Sequence, residues 1–342
     1  MKKKLLFVAL LLSAVLSLFS CENQKSKSYS ASFIGPFNTA SVLTGVADSK
    51  KDFEAFASDF EALLWDYHRL YDIYTDYPGL NNLKTVNDMA GIAPVKVDAR
   101  ILDLLEYALE IDEMTNGACR VTYGAVLEIW HAYRTEGTKK PAASLLESAA
   151  LHTSPSLLVI DRAAQTVYLT DPRASLDVGA IAKGYAVEAI CREMKARGFS
   201  NFAANIGGNL RTVGKKSPTD DWVLGIRDPR GSSVLLSLVA SDRALVTSGV
   251  YERYYTVAGE HLHHIIDPAT HHPAGGWLSI SVLAEDSALA DALSTALFTM
   301  TLDEGQALLS SLDGVEAVWV NESGEIFRSQ GIDALTVGGD VK

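Results

Sequence analysis

Two segments of this 342-residue chain carry oxygen- and nitrogen-bearing side chains at spacings suited to phosphate and cation chemistry. In ALADALSTALFTM, residues 288–300, Asp291 and Thr295 stand four apart, so on a helix they share a face, with Ser294 beside them. Leu289, Leu293, Leu297 and Phe298 surround them, and a carboxylate inside an apolar helix is costly unless paired or coordinated. Asp and Thr oxygens suit a hard cation such as Mg2+ and suit zinc poorly. The spacing alone leaves a second reading open, with Asp291 at a solvated helix edge. In SLDVGAIAKGYAVEAI, residues 175–190, Asp177, Gly179, Lys183 and Gly184 gather where a strand enters a helix. Amides at a helix start favour phosphate, and a lysine one turn in can reach it. A plain capped helix fits the same letters.

Other segments are weaker alone. Gly207-Gly208 in NIGGNLRTVG implies a bulge or a close backbone approach, or else a hairpin bend. VTSGVYERYY places Ser248-Gly249 at a turn, with aromatic residues after it. HLHHIIDPATHHP, residues 261–273, holds five of the eight histidines. On a strand His261, His263 and Ile265 face one side and Leu262, His264 and Ile266 the other, so His263 and His264 cannot both line one site. His271 and His272 fall in a turn and read as solvated. The cluster is therefore not a histidine metal site.

Several elements must position these groups. Apolar spacing predicts helices over Phe53–Tyr74, Asp98–Thr115, Ala180–Arg197 and Leu289–Met300, with a short one over Gln306–Leu312. Residues 75–90, rich in Asn with Pro and Gly, read as a loop. Residues 157–170 read as two strands around a turn. Short strands follow over 202–206, 209–213, 222–226, 234–239, 245–247, 254–257 and 262–266. Many hairpins without regular βαβ alternation indicate an α+β fold.

The ends carry their own signals. Lys2, Lys3 and Lys4 precede an apolar run, Leu5–Leu12, and LSLFSC places small Ser20 directly before Cys21. This resembles a bacterial lipobox, so residues 1–20 are expected to be a signal peptide and Cys21 the lipidated N-terminus. Residues 21–31, polar and Ser/Lys-rich, suit a flexible tether to one domain over 32–335. Loss of the leader removes three lysines and no acids, so the net charge moves from −12 to about −15. Nucleic acid and bulk anionic lipid are poor partners for such a surface. Cys119 and Cys191 lie in apolar surroundings and read as core thiols.

Together, SLDVGAIAKGYA, NIGGNLRTVG, VTSGVYERYY, HHIIDPATHHP and LADALSTALF, in this order and spacing, resemble the ApbE family of FAD:protein FMN transferases. The resemblance runs from about Phe33 to Phe327. It implies a mixed α+β fold of antiparallel sheets and packed helices, FAD bound in a cleft as substrate, and Mg2+ at its diphosphate. By motif, Asp291 and Thr295 match magnesium ligands, Ala180 matches the position whose oxygen completes the site, and Ser294 is a ligand in some members. Asp177, Lys183 and Ile265 match FAD-contacting positions, Ser248 and Gly249 go with that set, and His264 matches the candidate general base. There are departures. Ile34-Gly35-Pro36 stands where the family has Met-Gly-Thr against the flavin. GACRVT carries Arg120 in place of an aspartate, so contacts from Ala118, Cys119 and Arg120 are expected through backbone. Tyr74 and Tyr77 both fit a flavin-contacting tyrosine.

The implied reaction moves the FMN moiety of FAD to a Thr or Ser hydroxyl of an acceptor protein, releasing AMP, in the bacterial cell envelope. Alternatives are an FAD pyrophosphatase, with water as acceptor, and a non-catalytic flavin-storage lipoprotein. Asp291→Ala is expected to abolish Mg2+-dependent activity and leave the fold intact.

Overall fold

The computed structural model describes residues 27–337; the expected signal peptide and Cys21 lie outside them. Eight strands form one antiparallel sheet whose spatial order is the chain order: Lys27–Ile34, Ala40–Ala47, Phe202–Ile206, Asn209–Val213, Ala244–Gly249, Trp277–Ala284, Glu316–Asn321 and Ile326–Arg328. Both faces of its second half are covered. Val246, Ile280, Val282 and Trp319 pack beneath the helix Ser287–Ala296, in a core with Ala290 and Leu293. Their neighbours Leu245, Leu283, Val318 and Val320 point the other way, into a core shared with the hairpin Val223–Arg227/Val234–Val239. This is why apolar residues stand at adjacent positions in these strands, as in Leu245-Val246 and Val282-Leu283: alternate side chains serve two cores.

The helices Lys50–Tyr71, Ala99–Met114 and Ala182–Ala196 cover the first half of the sheet, where Phe56 meets Phe202 at 5.0 Å between ring centroids. The helix expected over 53–74 thus starts at Lys50 and stops at Tyr71. The 75–90 segment is not wholly loop, since Asn82 caps a short helix, Leu83–Asp88, in a reciprocal capping box with Thr85. The fourth expected helix ends at Ala296 and tightens into a 3-10 turn, Leu297–Thr299. The fifth lies over Leu302–Ser310.

The sequence reading missed the helices Gly124–Glu136 and Ala143–Ala150. With the hairpin Tyr254–Val257/Glu260–His263 they bury Val126, Trp130, Leu146, Tyr255 and Leu262 in a core of their own. Residues 27–31, expected to belong to a flexible tether, instead lie in the first strand, where Lys27 pairs with Ala47. Among the described residues no helix is long and apolar enough to cross a membrane. The architecture is α+β.

Candidate active site

The start of the 287–296 helix is fastened at three points. The Asp286 carboxylate accepts the Ala288 and Leu289 amides at 2.7 and 3.0 Å. The Ser287 amide donates to Glu188 Oε2 at 3.0 Å, and its hydroxyl donates to Asn209 Oδ1 at 2.6 Å. Glu188 is itself paired, at 2.8 Å, with buried Arg211. Asn209 and Arg211 of NIGGNLRTVG therefore hold this helix in place. Gly207 and Gly208 form the hairpin bend before them, at φ of 55° and 85°.

Helix 287–296 is pressed against the start of helix 182–196. Gly184 makes the approach possible, since a Cβ there would run into the Ser287 carbonyl and the Asp291 side chain. Asp291 is consequently only 5% exposed, which rules out the solvated edge. Its Oδ1 lies 3.0 Å from Lys183 Nζ, and its Oδ2 accepts the Gly184 amide at 2.7 Å. In a regular helix that amide would close on the Ala180 carbonyl. Here it is spent on Asp291, and the Ala180 carbonyl accepts no hydrogen bond among the described residues.

Thr295, one turn along, is half-buried, and its hydroxyl also makes no hydrogen bond among the described residues. Ser294 differs: its Oγ donates to the Asp291 carbonyl at 2.9 Å and lies 2.7 Å from Ser248 Oγ. Ser248 and Gly249 lie in the strand Ala244–Gly249, not in a turn. The unpartnered Ala180 carbonyl and Thr295 hydroxyl, with the Asp291 carboxylate between Lys183 and Gly184, make an all-oxygen set that fits a hard cation. No group of three or more His, Cys, Asp or Glu side chains converges for a metal among the described residues.

Three residues upstream of Ala180, Asp177 lines a cavity of about 530 Å³ that also takes in Tyr74, Gly124, His131 and His152. Tyr74 reaches His131 through its hydroxyl, 2.9 Å from Nδ1, and His131 Nε2 lies 3.7 Å from Asp177 Oδ2. Burial around the Tyr74 hydroxyl, then the Asp177 charge, push its pKa up to about 12. Burial lowers that of His131; Asp177 opposes this, and Arg134 and Arg253 add to it.

The hairpin strand Glu260–His263 ends before His264, short of the expected 262–266, yet the two-sided arrangement persists. His263 packs against Phe298, its ring centroid 5.8 Å away. Its Nε2 donates to the Ala274 carbonyl at 2.8 Å, and its Nδ1 accepts the Ile265 amide at 3.3 Å, so both nitrogens are committed. His264 turns the other way. Its Nδ1 lies 3.2 Å from the Arg253 carbonyl, which only an Nδ1–H can satisfy, so the lone pair sits on Nε2. That nitrogen has no partner among the described residues. Burial, then the Arg253 charge, with His263 and Arg134 adding to it, lower the His264 pKa to about 3. The ring is neutral at pH 7.

Comparison with known proteins decides the family. Residues 40–319 match the model of the ApbE family. The chain belongs to that family. A Treponema pallidum (strain Nichols) FAD:protein FMN transferase is 34% identical over 267 residues, covering 73% of each chain. One from Klebsiella pneumoniae (strain 342) is 29% identical over 279 residues, covering 81% of this chain and 85% of that one. The ApbE protein of Thermotoga maritima superposes with a TM-score of 0.83 at 28% identity, over 91% of this chain and all of that one. The flavin transferase ApbE from Vibrio cholerae, at 23% identity, shares the fold with a TM-score of 0.76 over 90% of this chain and all of that one.

Among the ApbE positions expected from sequence, Asp291, Lys183, Ser248, Ser294 and Thr295 gather around one helix junction, with the Ala180 carbonyl at its edge. Of the two tyrosines, Tyr74 lines the cavity and Tyr77 does not; the Tyr77 hydroxyl donates to Asp72 at 2.9 Å. Ile34 ends the first strand with 80% of its surface exposed. Cys119 is sealed in the core, where burial raises its thiol pKa to about 12, and its amide donates to Thr115 at 3.2 Å. The Arg120 guanidinium is spent on Asp112, 3.0 Å away, and Ala118 is half-buried beside it. Ile265 is buried in the core that holds Phe298.

His271 corrects the expectation of a solvated turn residue. It sits at φ 62°, its Nδ1 lies 2.6 Å from the Tyr123 hydroxyl, and its carbonyl accepts the Trp130 indole N–H at 2.9 Å. His131, Arg134 and Arg253 were missed altogether. The helix bearing His131 and Arg134 buries only Gly124, Val126 and Trp130, too short a stripe for an amphipathic signal.

Proposed function

We propose that this chain transfers the FMN moiety of FAD to a Thr or Ser hydroxyl of an acceptor protein, releasing AMP. The observation that carries the reading is His264, whose Nδ1–H is anchored on the Arg253 carbonyl while the Nε2 lone pair has no partner among the described residues. A flavin store needs no such base. The acceptor hydroxyl oxygen forms a bond to the phosphorus of the FMN half. The bond from that phosphorus to the bridging oxygen breaks, AMP leaves with that oxygen, and Nε2 takes the hydroxyl proton. Lys183 adds positive charge beside the diphosphate. Mg2+, held by Asp291, Thr295 and the Ala180 carbonyl, would neutralise diphosphate charge and stabilise the leaving AMP.

The lipobox order before Cys21 supports a place in the bacterial cell envelope, with the enzyme anchored through acyl chains on that cysteine and acting on exported flavoproteins. The test is mass spectrometry of an Asp-Gly-x-[Ser/Thr]-Gly-Ala-Thr peptide after incubation with the protein, FAD and Mg2+. The expected product is a peptide bearing one FMN ester, with equimolar AMP. AMP with unmodified peptide would instead mean hydrolysis, and bound FAD with neither product would mean storage.

A further inference from the structure

Tyr74 is exposed over 62% of its surface and belongs to no hydrophobic core cluster, yet it is held in place. Its amide donates to Asp72 at 2.7 Å, and its hydroxyl meets His131 Nδ1 at 2.9 Å. A neutral imidazole carries one N–H. With that proton on Nε2, facing the Asp177 carboxylate 3.7 Å away, Nδ1 is the nitrogen that accepts from the phenol. Asp177 is fixed in turn: its Oδ1 accepts the Gly179 amide at 2.8 Å, and its own amide donates to the Val121 carbonyl at 2.8 Å. A line of contacts thus runs from the backbone turn at 177–180 through His131 to an aromatic ring at a cavity that all three side chains border. Packing does not require this, since an exposed tyrosine ring is ordinarily free to turn. Holding one there is useful if a planar ring is to stack on it.

We propose that His131 is a positioning residue for the flavin: it fixes the Tyr74 ring as a platform for the isoalloxazine and ties that platform to the turn bearing the Ala180 carbonyl. The ring end and the phosphate end of FAD are then set in one register. None of the shared sequence motifs contains His131. The inference rests on the transferase reading, in which FAD is the ligand.

The test is equilibrium binding of FAD to the full chain, read by the visible flavin spectrum. His131→Ala is expected to weaken FAD binding roughly tenfold, the worth of one or two hydrogen bonds, and to remove the band shift that stacking produces. His131→Asn offers an amide oxygen where Nδ1 stood, and is expected to recover most of both. Tyr74→Phe keeps the ring and loses the hydroxyl. In that background His131→Ala should add less than about a twofold further loss, because the two residues act through one contact. Additive losses, or a loss that Asn does not rescue, would show that His131 acts only through general structure and overturn the proposal. So would wild-type FAD binding that His131→Ala leaves unchanged. A wild-type protein that does not bind FAD would instead sink the transferase reading, and this inference with it.

Discussion

Replacing Asp291 tests the cation corner, and the structure sets the size of each effect. The carboxylate is 5% exposed and holds two partners, Lys183 Nζ at 3.0 Å and the Gly184 amide at 2.7 Å. Asp291→Asn can keep an oxygen for the Gly184 amide and loses only the charge-assisted bond to Lys183, worth about 1.5–3 kcal/mol. Lys183, 22% exposed, can turn to water, which trims the cost to about 1–2 kcal/mol. Asp291→Ala also strands the Gly184 amide at the helix contact, another ~1–3 kcal/mol, for a total of roughly 2–5 kcal/mol. Asp291→Ala is therefore expected to cost stability as well as Mg2+-dependent activity, because this carboxylate pins one helix to another. Urea unfolding with and without Mg2+ separates the two roles. A bound cation at a hundred times its Kd stabilises the wild type by about 2.7 kcal/mol. The Asn variant should fold and lose that increment, along with transfer at limiting Mg2+. An Asn variant that keeps the full Mg2+ increment would refute the assignment.

Thr295→Val removes a hydroxyl that makes no hydrogen bond among the described residues, so unfolding should move by no more than about 0.5 kcal/mol while the Mg2+ concentration for half-maximal transfer rises; an unchanged Mg2+ titration would release Thr295 from the site. His264→Ala should lower transfer by about 10²–10⁴-fold with FAD affinity little altered, whereas His263→Ala should cost stability rather than rate. The His264 pKa lies at about 3, so its base form persists as pH falls and is lost only near that value. From pH 7 to about pH 5, kcat/KM should therefore stay nearly flat, where an ordinary imidazole would lose about 25-fold; such a loss would mean that His264 is unshifted or that another group is the base. Cys21→Ser should move the protein from the membrane to the soluble fraction; continued membrane fractionation would place the anchor elsewhere.

Local sequence determined a good deal. The 3.6-residue spacing from Phe53 to Tyr71 and from Ile101 to Ile111 specified two helices within a few residues, because burial of one stripe drives both. Alternation and turn residues placed the strands 202–206, 209–213, 234–239 and 254–257. The Asp291/Thr295 spacing was legible as an oxygen face because four residues nearly close one helical turn. Tertiary structure decided the rest. Whether Asp291 is solvated or buried depends on Gly184 letting a second helix approach, more than a hundred residues away in sequence. That the Ala180 carbonyl is open depends on where one amide of that second helix points. His263 and His264 have the same side chain, and only their neighbours separate them: Ala274 and Ile265 use up both nitrogens of one, while Arg253 takes one nitrogen of the other and leaves its Nε2 free. The Tyr74–His131–Asp177 line joins three segments with no shared periodicity. Periodicity reports which face of an element is buried, whereas a site depends on which donors and acceptors remain unpaired after the elements have packed.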